Sequence, residues 1–187
     1  LLQVKGLSYS LGELLGESGP PEQFRDGNFL TIYLAPHNYH RVHMPSEGRL
    51  RRMVYLPGKR WSVNARTVAA IDGLFARNER LVFHFDGDRG PFAVVMVGAL
   101  NVGSMSTAWA GEVLPAPRTQ TVWDASSFGP PVQLARGAYM AHFNLGSTVI
   151  VIYPRDASRW RRGLEAGVQV LVGEAVGVLE PRAAGRS

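Results

Sequence analysis

The stretch "ERLVFHFDGDRGPFAVVMV", residues 79–97, decides the fold. Two runs rich in valine, leucine and phenylalanine flank the turn "DGDRGP", the spelling of an antiparallel hairpin. The second apolar run continues as "GALNVGSM" to Met105. Upstream, "NFLTIYLAP" (28–36) and "GRLRRMVYLPG" (48–58) read as strands ended by Pro36 and Pro57, since proline cannot donate to a ladder. Further upstream, Ser10 with Glu13 three residues on spells a capping box, so a short helix is expected there. "ARTVAAIDGLFARN" (65–78) is either helical or irregular, and 112–131 reads as loop with at most one short strand. Downstream, Met140–Tyr153 is expected to be one long strand, "PRDASRWRRGLEAG" a short basic helix, and "VQVLVGEAVGVLEP" one or two closing strands. The fold class expected is therefore α+β, mainly β: a single domain over residues 1–187 of packed antiparallel sheets with a few short helices.

Composition agrees. Twenty-one glycines and 12 prolines supply the turns of a β-rich chain. With no cysteine, disulfides, thiolate catalysis and sulfur-ligated zinc are excluded. The net charge of +5 favours anionic partners, whether nucleic acid, acidic lipid surfaces or small acids. A nucleic-acid module is disfavoured, because the aromatics sit inside apolar runs instead of interleaving with Lys and Arg. No apolar run reaches the roughly 18 residues of a spanning helix. The opening "LLQVKG" lacks the features of a signal peptide and reads as cut from something longer.

Three places carry candidate chemistry. "APHNYHRVHMP" spaces His37, His40 and His43 at intervals of three. On a strand that spacing sends neighbours to opposite faces, so only a helical turn would gather them on a metal; acid–base work is the better chemical reading, beside the plain one of surface or hydrogen-bonded loop histidines. "RDASRWRRG" joins four arginines to Trp160, a pattern suited to anionic lipid but also to a solvated face. "GALNVGS" has P-loop-like glycine spacing without the lysine, so phosphate cradling fails. The third place is "LGST", in which Gly146 precedes Ser147. A glycine carbonyl is open to close approach, and the following serine hydroxyl can attack it, exchanging the amide for an ester. Removal of the serine α-proton then expels the Gly146 carboxylate and leaves dehydroalanine, whose imine hydrolyses to a pyruvoyl group. That sequence needs a base beside Ser147, which a histidine loop supplies.

Taken together, "YLAPHNYHRVHMPSEG", "YLPGKRWSVN", "LFARNERLVFHFD", "GPFAVVMVGALNVGSM" and "FNLGSTVIVIYP" resemble, in this order, the bacterial phosphatidylserine decarboxylases. The resemblance implies self-cleavage between Gly146 and Ser147, giving a β chain 1–146 and an α chain 147–187. It implies a covalent pyruvoyl cofactor made from Ser147, which condenses with the substrate amine and draws off the electrons of the departing carboxylate. It matches His43 to the family histidine that works with Ser147 in self-cleavage, and His40 to the one that handles substrate. The implied reaction is decarboxylation of phosphatidylserine to phosphatidylethanolamine, at an anionic membrane surface, peripherally on the cytoplasmic side of a bacterial cell membrane. The implied partners are the two chains of one precursor and the lipid, with a homodimer left open.

Two departures stand out. The family's self-cleavage aspartate belongs to a segment upstream of Leu1, and Asp26, Asp72, Asp86 and Asp88 sit in other contexts. The chain as given is therefore expected to cleave slowly or not at all. In "GAYMAHF" (137–143), Tyr139 and Ala141 stand where the family usually has Glu and Gly. Two alternatives remain: a pyruvoyl decarboxylase of another amine, and a non-maturing lipid-binding module of the same fold.

Overall fold

The computed structural model describes residues 2–4, 7–16, 21–100, 104–113, 118–144 and 148–181. Gly146 and Ser147 lie outside the described residues, as does all of the "NVG" at 101–103. All strand pairings among the described residues are antiparallel. The mainly β expectation is met.

The large sheet is built from β3 (Asn28–Tyr33), β5 (Gly48–Leu56), β6 (Arg80–Gly87), β7 (Gly90–Val97), β10 (Thr121–Asp124) and β13 (Thr148–Tyr153), in the order β10-β5-β6-β7-β13-β3. The short β11 (Gln133–Leu134) also pairs with β5. The expected hairpin is β6–β7, closed at Gly87↔Gly90, and its second arm ends at Val97 rather than running on to Met105. A smaller sheet holds β4 (Arg41–His43), β12 (Tyr139–Phe143), β8 (Met105–Thr107) and β9 (Gly111–Glu112), in that order. Two further pairs are β1 (Leu2–Val4) with β2 (Leu7–Tyr9), and β14 (Ser158–Trp160) with β15 (Gly177–Leu179).

The central strands are covered on both faces, which is why β13 and most of β6 and β7 are buried at nearly every position. Leu81, Phe83 and Phe85 point to the smaller sheet, where Trp109 meets Phe83 and Phe85 edge-on at 5.5 and 6.4 Å. Arg80, Val82 and His84 alternate onto the opposite face. There α1 (Leu11–Leu15) docks with Leu14 and Leu15 fully buried. The capping box at its start forms as expected: Glu13 N–H donates to Ser10 Oγ at 3.0 Å, and Ser10 N–H to Glu13 Oε2 at 2.7 Å.

The Arg80 guanidinium closes the other end of α1. It donates to the carbonyls of Leu14 (2.8 Å), Glu13 (2.6 Å) and Asn78 (2.9 Å), groups that a helix end leaves unpaired. Burial draws its pKa down to about 10, and it stays charged at neutral pH. The ambiguous 65–78 stretch is two short helices, α2 (Ala65–Ala70) and α3 (Leu74–Arg77), parted where Gly73 takes a left-handed φ of 63°.

Two expectations are overturned. Met140–Tyr153 is not one strand. Residues up to Phe143 belong to the smaller sheet and those from Thr148 to the large one, because the polar, glycine-bearing "NLGS" marks a change of sheet. "RDASRWRRG" is not a helix. Ser158–Trp160 is extended and pairs with Gly177–Leu179, while Trp160 packs on Tyr153 at 6.1 Å. Its arginines are largely matched, Arg159 to Glu180 at 3.0 Å, Arg155 to Asp156 at 3.6 Å and Arg161 to Glu174. Of the expected closing strands, only Gly177–Leu179 forms among the described residues.

Candidate active site

Two links join the sheets side by side at their ends. Leu34–Tyr39 leads from β3 toward β4, and Asn144–Ser147 leads from β12 to β13. On the large sheet their ends meet as Tyr33↔Thr148. On the smaller sheet Phe143 N–H donates to the His40 carbonyl at 3.1 Å. The register therefore brings the histidine segment beside both flanks of the Gly146–Ser147 junction.

The first link is shaped by a turn. Asn38 N–H donates to Ala35 O at 2.9 Å, and the Asn38 side chain accepts from Ala35 N–H at 2.8 Å. The fold of this turn aims the Pro36 carbonyl at the His40 ring, which donates from Nε2 at 3.1 Å. A carbonyl only accepts, so Nε2 carries the proton and the neutral ring keeps its lone pair on Nδ1. That Nδ1 is buried and has no hydrogen-bond partner among the described residues. Thr148 Oγ1, one residue past Ser147, is buried and unpartnered in the same sense.

His43 is held differently. Its Nδ1 donates to the Gly137 carbonyl at 2.9 Å, so Nε2 accepts the Tyr39 hydroxyl at 2.8 Å in the neutral ring. Tyr39 also stacks on it, with centroids 5.7 Å apart and planes within 11°. Tyr139 meets the same ring edge-on at 6.4 Å. Its hydroxyl bonds His142 Nδ1 at 2.5 Å, and the Arg41 guanidinium lies 5.4 Å from its centroid. Both nitrogens of His43 are thus engaged, whereas one of His40 is not. His37 is exposed on the turn and does not join them. Among the described residues, no three His, Asp or Glu converge as metal ligands.

The "ARNER" segment supports the strand next to Thr148. Asn78 is fully buried; its Nδ2 donates to Gly98 O (2.9 Å) and Trp61 O (2.8 Å), and its Oδ1 accepts from Trp61 N–H at 3.2 Å. Gly98 N–H donates to Glu79 O at 2.7 Å, fixing the chain just past Val97, the partner of Thr148. The buried Glu79 carboxylate is matched by Arg60. Burial, then the neighbouring Glu79 charge, pushes the Tyr55 phenol up, so it stays protonated. Sequence reasoning found His40, His43 and the junction. It missed Tyr39, four residues before His43, and also the Gly137 carbonyl and Thr148, whose roles arise from pairing across 94 and 115 residues that no local pattern announces.

The family model described as phosphatidylserine decarboxylase matches residues 1–178. The phosphatidylserine decarboxylase proenzyme of Nitrosococcus oceani is 49% identical over 180 residues, covering 96% of this chain and 59% of that protein. Those of Azotobacter vinelandii and Pseudomonas fluorescens are 49% and 48% identical over 180 and 187 residues, covering 95% and 98% of this chain and 63% and 64% of theirs. The chain thus spans about three fifths of the length of these curated relatives. With nearly the whole sequence matched and the family's motifs gathered around one junction, the chain belongs to the phosphatidylserine decarboxylase family.

Proposed function

We propose that this chain is the catalytic part of a pyruvoyl-dependent phosphatidylserine decarboxylase whose precursor opens between Gly146 and Ser147. The observation that carries the reading is the His40 Nδ1, buried and without a partner among the described residues, on the segment paired to both ends of the link that holds Ser147. The Thr148 Oγ1, next in sequence to Ser147, is equally unpartnered, and an acceptor with a hydroxyl suits a pyruvoyl group formed from Ser147. Such a group supplies an electron-withdrawing carbonyl that takes up the electrons left when carbon dioxide departs.

The chain's own residues divide the remaining work. His40 Nδ1 takes the Ser147 hydroxyl proton, while Pro36 O holds the ring in the tautomer that leaves that lone pair free. The ring's charged form then keeps its Nε2–H on the carbonyl, so no reorientation is needed. His43, fixed between Gly137 O and Tyr39, serves the substrate stage as a proton carrier. This exchanges the roles that the resemblance gives to the two histidines, and the support is that both His43 nitrogens are already engaged. A net charge of +5 favours approach to an anionic lipid surface, which supports the reading of a peripheral protein at the cytoplasmic face of a bacterial membrane.

The test uses the full open reading frame with His40→Ala and His43→Ala, following self-cleavage by denaturing mass spectrometry and phosphatidylethanolamine formation from phosphatidylserine vesicles. The expected result is an uncleaved His40→Ala and a cleaved but slow His43→Ala. The opposite pattern would return the histidines to the assignment the resemblance implies. A cleaved, active wild type with no product from phosphatidylserine would mean another amine substrate.

A further inference from the structure

A carboxylate, Glu112 of β9, meets the first residue after β12. β8 pairs with β12 up to Met105↔Phe143, and with β9 at Ser106↔Glu112. One residue past the Met105–Phe143 pair, Asn144 N–H donates to Ser104 O at 3.2 Å, carrying the ladder onto the first residue of the link. The Asn144 amide Nδ2 donates to Ser104 Oγ and, at 3.3 Å, to Glu112 Oε1. Ser104 Oγ, on a buried residue, donates to that same Oε1. One oxygen of Glu112 thus collects two donors, and one of them comes from the residue two places before Gly146.

We propose that Glu112 is a positioning residue for the opening of the Gly146–Ser147 bond. Resting on the pyruvoyl reading above, the inference is that Glu112 Oε1 pins Asn144 to the end of β8 and so fixes where the link leaves the smaller sheet. Attack of a hydroxyl on the preceding carbonyl requires the two atoms at about 3–3.5 Å, and a misplacement of about 1 Å costs on the order of a hundredfold in rate. Asn144 and Glu112 are both exposed, so their contact lies at the rim of the core, and the one buried group that Glu112→Ala deprives of an acceptor is the Ser104 hydroxyl. Oε2 has no bond to a described residue. A glutamine with Oε1 in the same place therefore keeps both contacts and turns its NH2 outward.

The experiment is a time course of self-cleavage after cell-free synthesis of the full open reading frame, read by denaturing mass spectrometry, with melting temperatures of each species. The variants are Glu112→Gln, Glu112→Ala and Asn144→Ala. The expected result is that Glu112→Gln cleaves within about twofold of wild type, while Glu112→Ala and Asn144→Ala are slowed about tenfold or more with melting temperatures lowered by no more than about 4 °C. If Glu112→Gln is as slow as Glu112→Ala, negative charge rather than the acceptor matters, and the positioning account is overturned. If Glu112→Ala, or Asn144→Ala where Glu112→Ala does not fold, cleaves at the wild-type rate, the brace has no role. A wild type that never cleaves overturns the pyruvoyl reading itself, and this inference with it.

Discussion

Acidifying the protein from pH 7 to pH 5 will destabilise it through the buried His84. This ring lies on β6 against α1 and the turn before β3, buried, with Phe24 at 6.4 Å and Nε2 without a partner among the described residues. Burial first, and the Arg52 charge second, push its pKa from the ordinary 6.5 down to about 4. The folded state therefore resists a proton that the unfolded chain accepts, and stability falls as pH drops below 6.5 and keeps falling until about 4. Linkage between those values gives a loss of about 2 kcal/mol between pH 7 and pH 5. For a domain of this size that lowers the melting temperature by roughly 4–8 °C. Glu13 and Glu174 are held below their ordinary carboxyl value by hydrogen bonds, Glu13 from Ser10 and Glu174 from Leu171 N–H and then Arg161, so they titrate below this window. Urea unfolding at pH 7, 6 and 5 measures the effect directly, and His84→Leu should remove most of the slope. Flat stability in wild type, or an equal slope in His84→Leu, would refute the reasoning.

Other perturbations have equally definite outcomes. Arg80→Met strips two buried carbonyls and one half-buried carbonyl of their donor and should cost about 3 kcal/mol, read as a lower urea midpoint. Gly27→Ala would set a Cβ 2.2 Å from Tyr153 O and 2.9 Å from Phe24 O, both backbone atoms, so a loss of about 2–4 kcal/mol is expected in the same assay. Tyr39→Phe leaves His43 Nε2 without its hydroxyl; self-cleavage should proceed normally while turnover of phosphatidylserine falls about tenfold, measured as product released from vesicles.

Much of the large sheet was legible because local signals agree with tertiary demand. Pro57 directly follows the end of β5, "DGDRGP" turns its hairpin, and the Ser10–Glu13 box starts α1, each for a reason confined to a few residues, while β3 already ends at Tyr33, three residues short of Pro36. The division of Met140–Tyr153 was not legible. Both halves are apolar, and what separates them is pairing with Ser104 on one sheet and Tyr33 on the other. The alternation around Trp160 was read as a basic helix, whereas its partner strand begins 17 residues later at Gly177, beyond any local window. At the site, the histidines and the Gly-Ser junction carry a motif. Which ring nitrogen is free does not, because it depends on the carbonyls of Pro36 and Gly137. Glu112 carries no signal at all, since its meaning is a contact with Asn144 across 32 residues.

The central claim is that Ser147 becomes the cofactor, and denaturing mass spectrometry of the full open reading frame tests it most directly. The account predicts two fragments parted between Gly146 and Ser147, the smaller one lacking an α-amine and reacting with a carbonyl reagent. A single intact chain, unreactive toward that reagent, would contradict it.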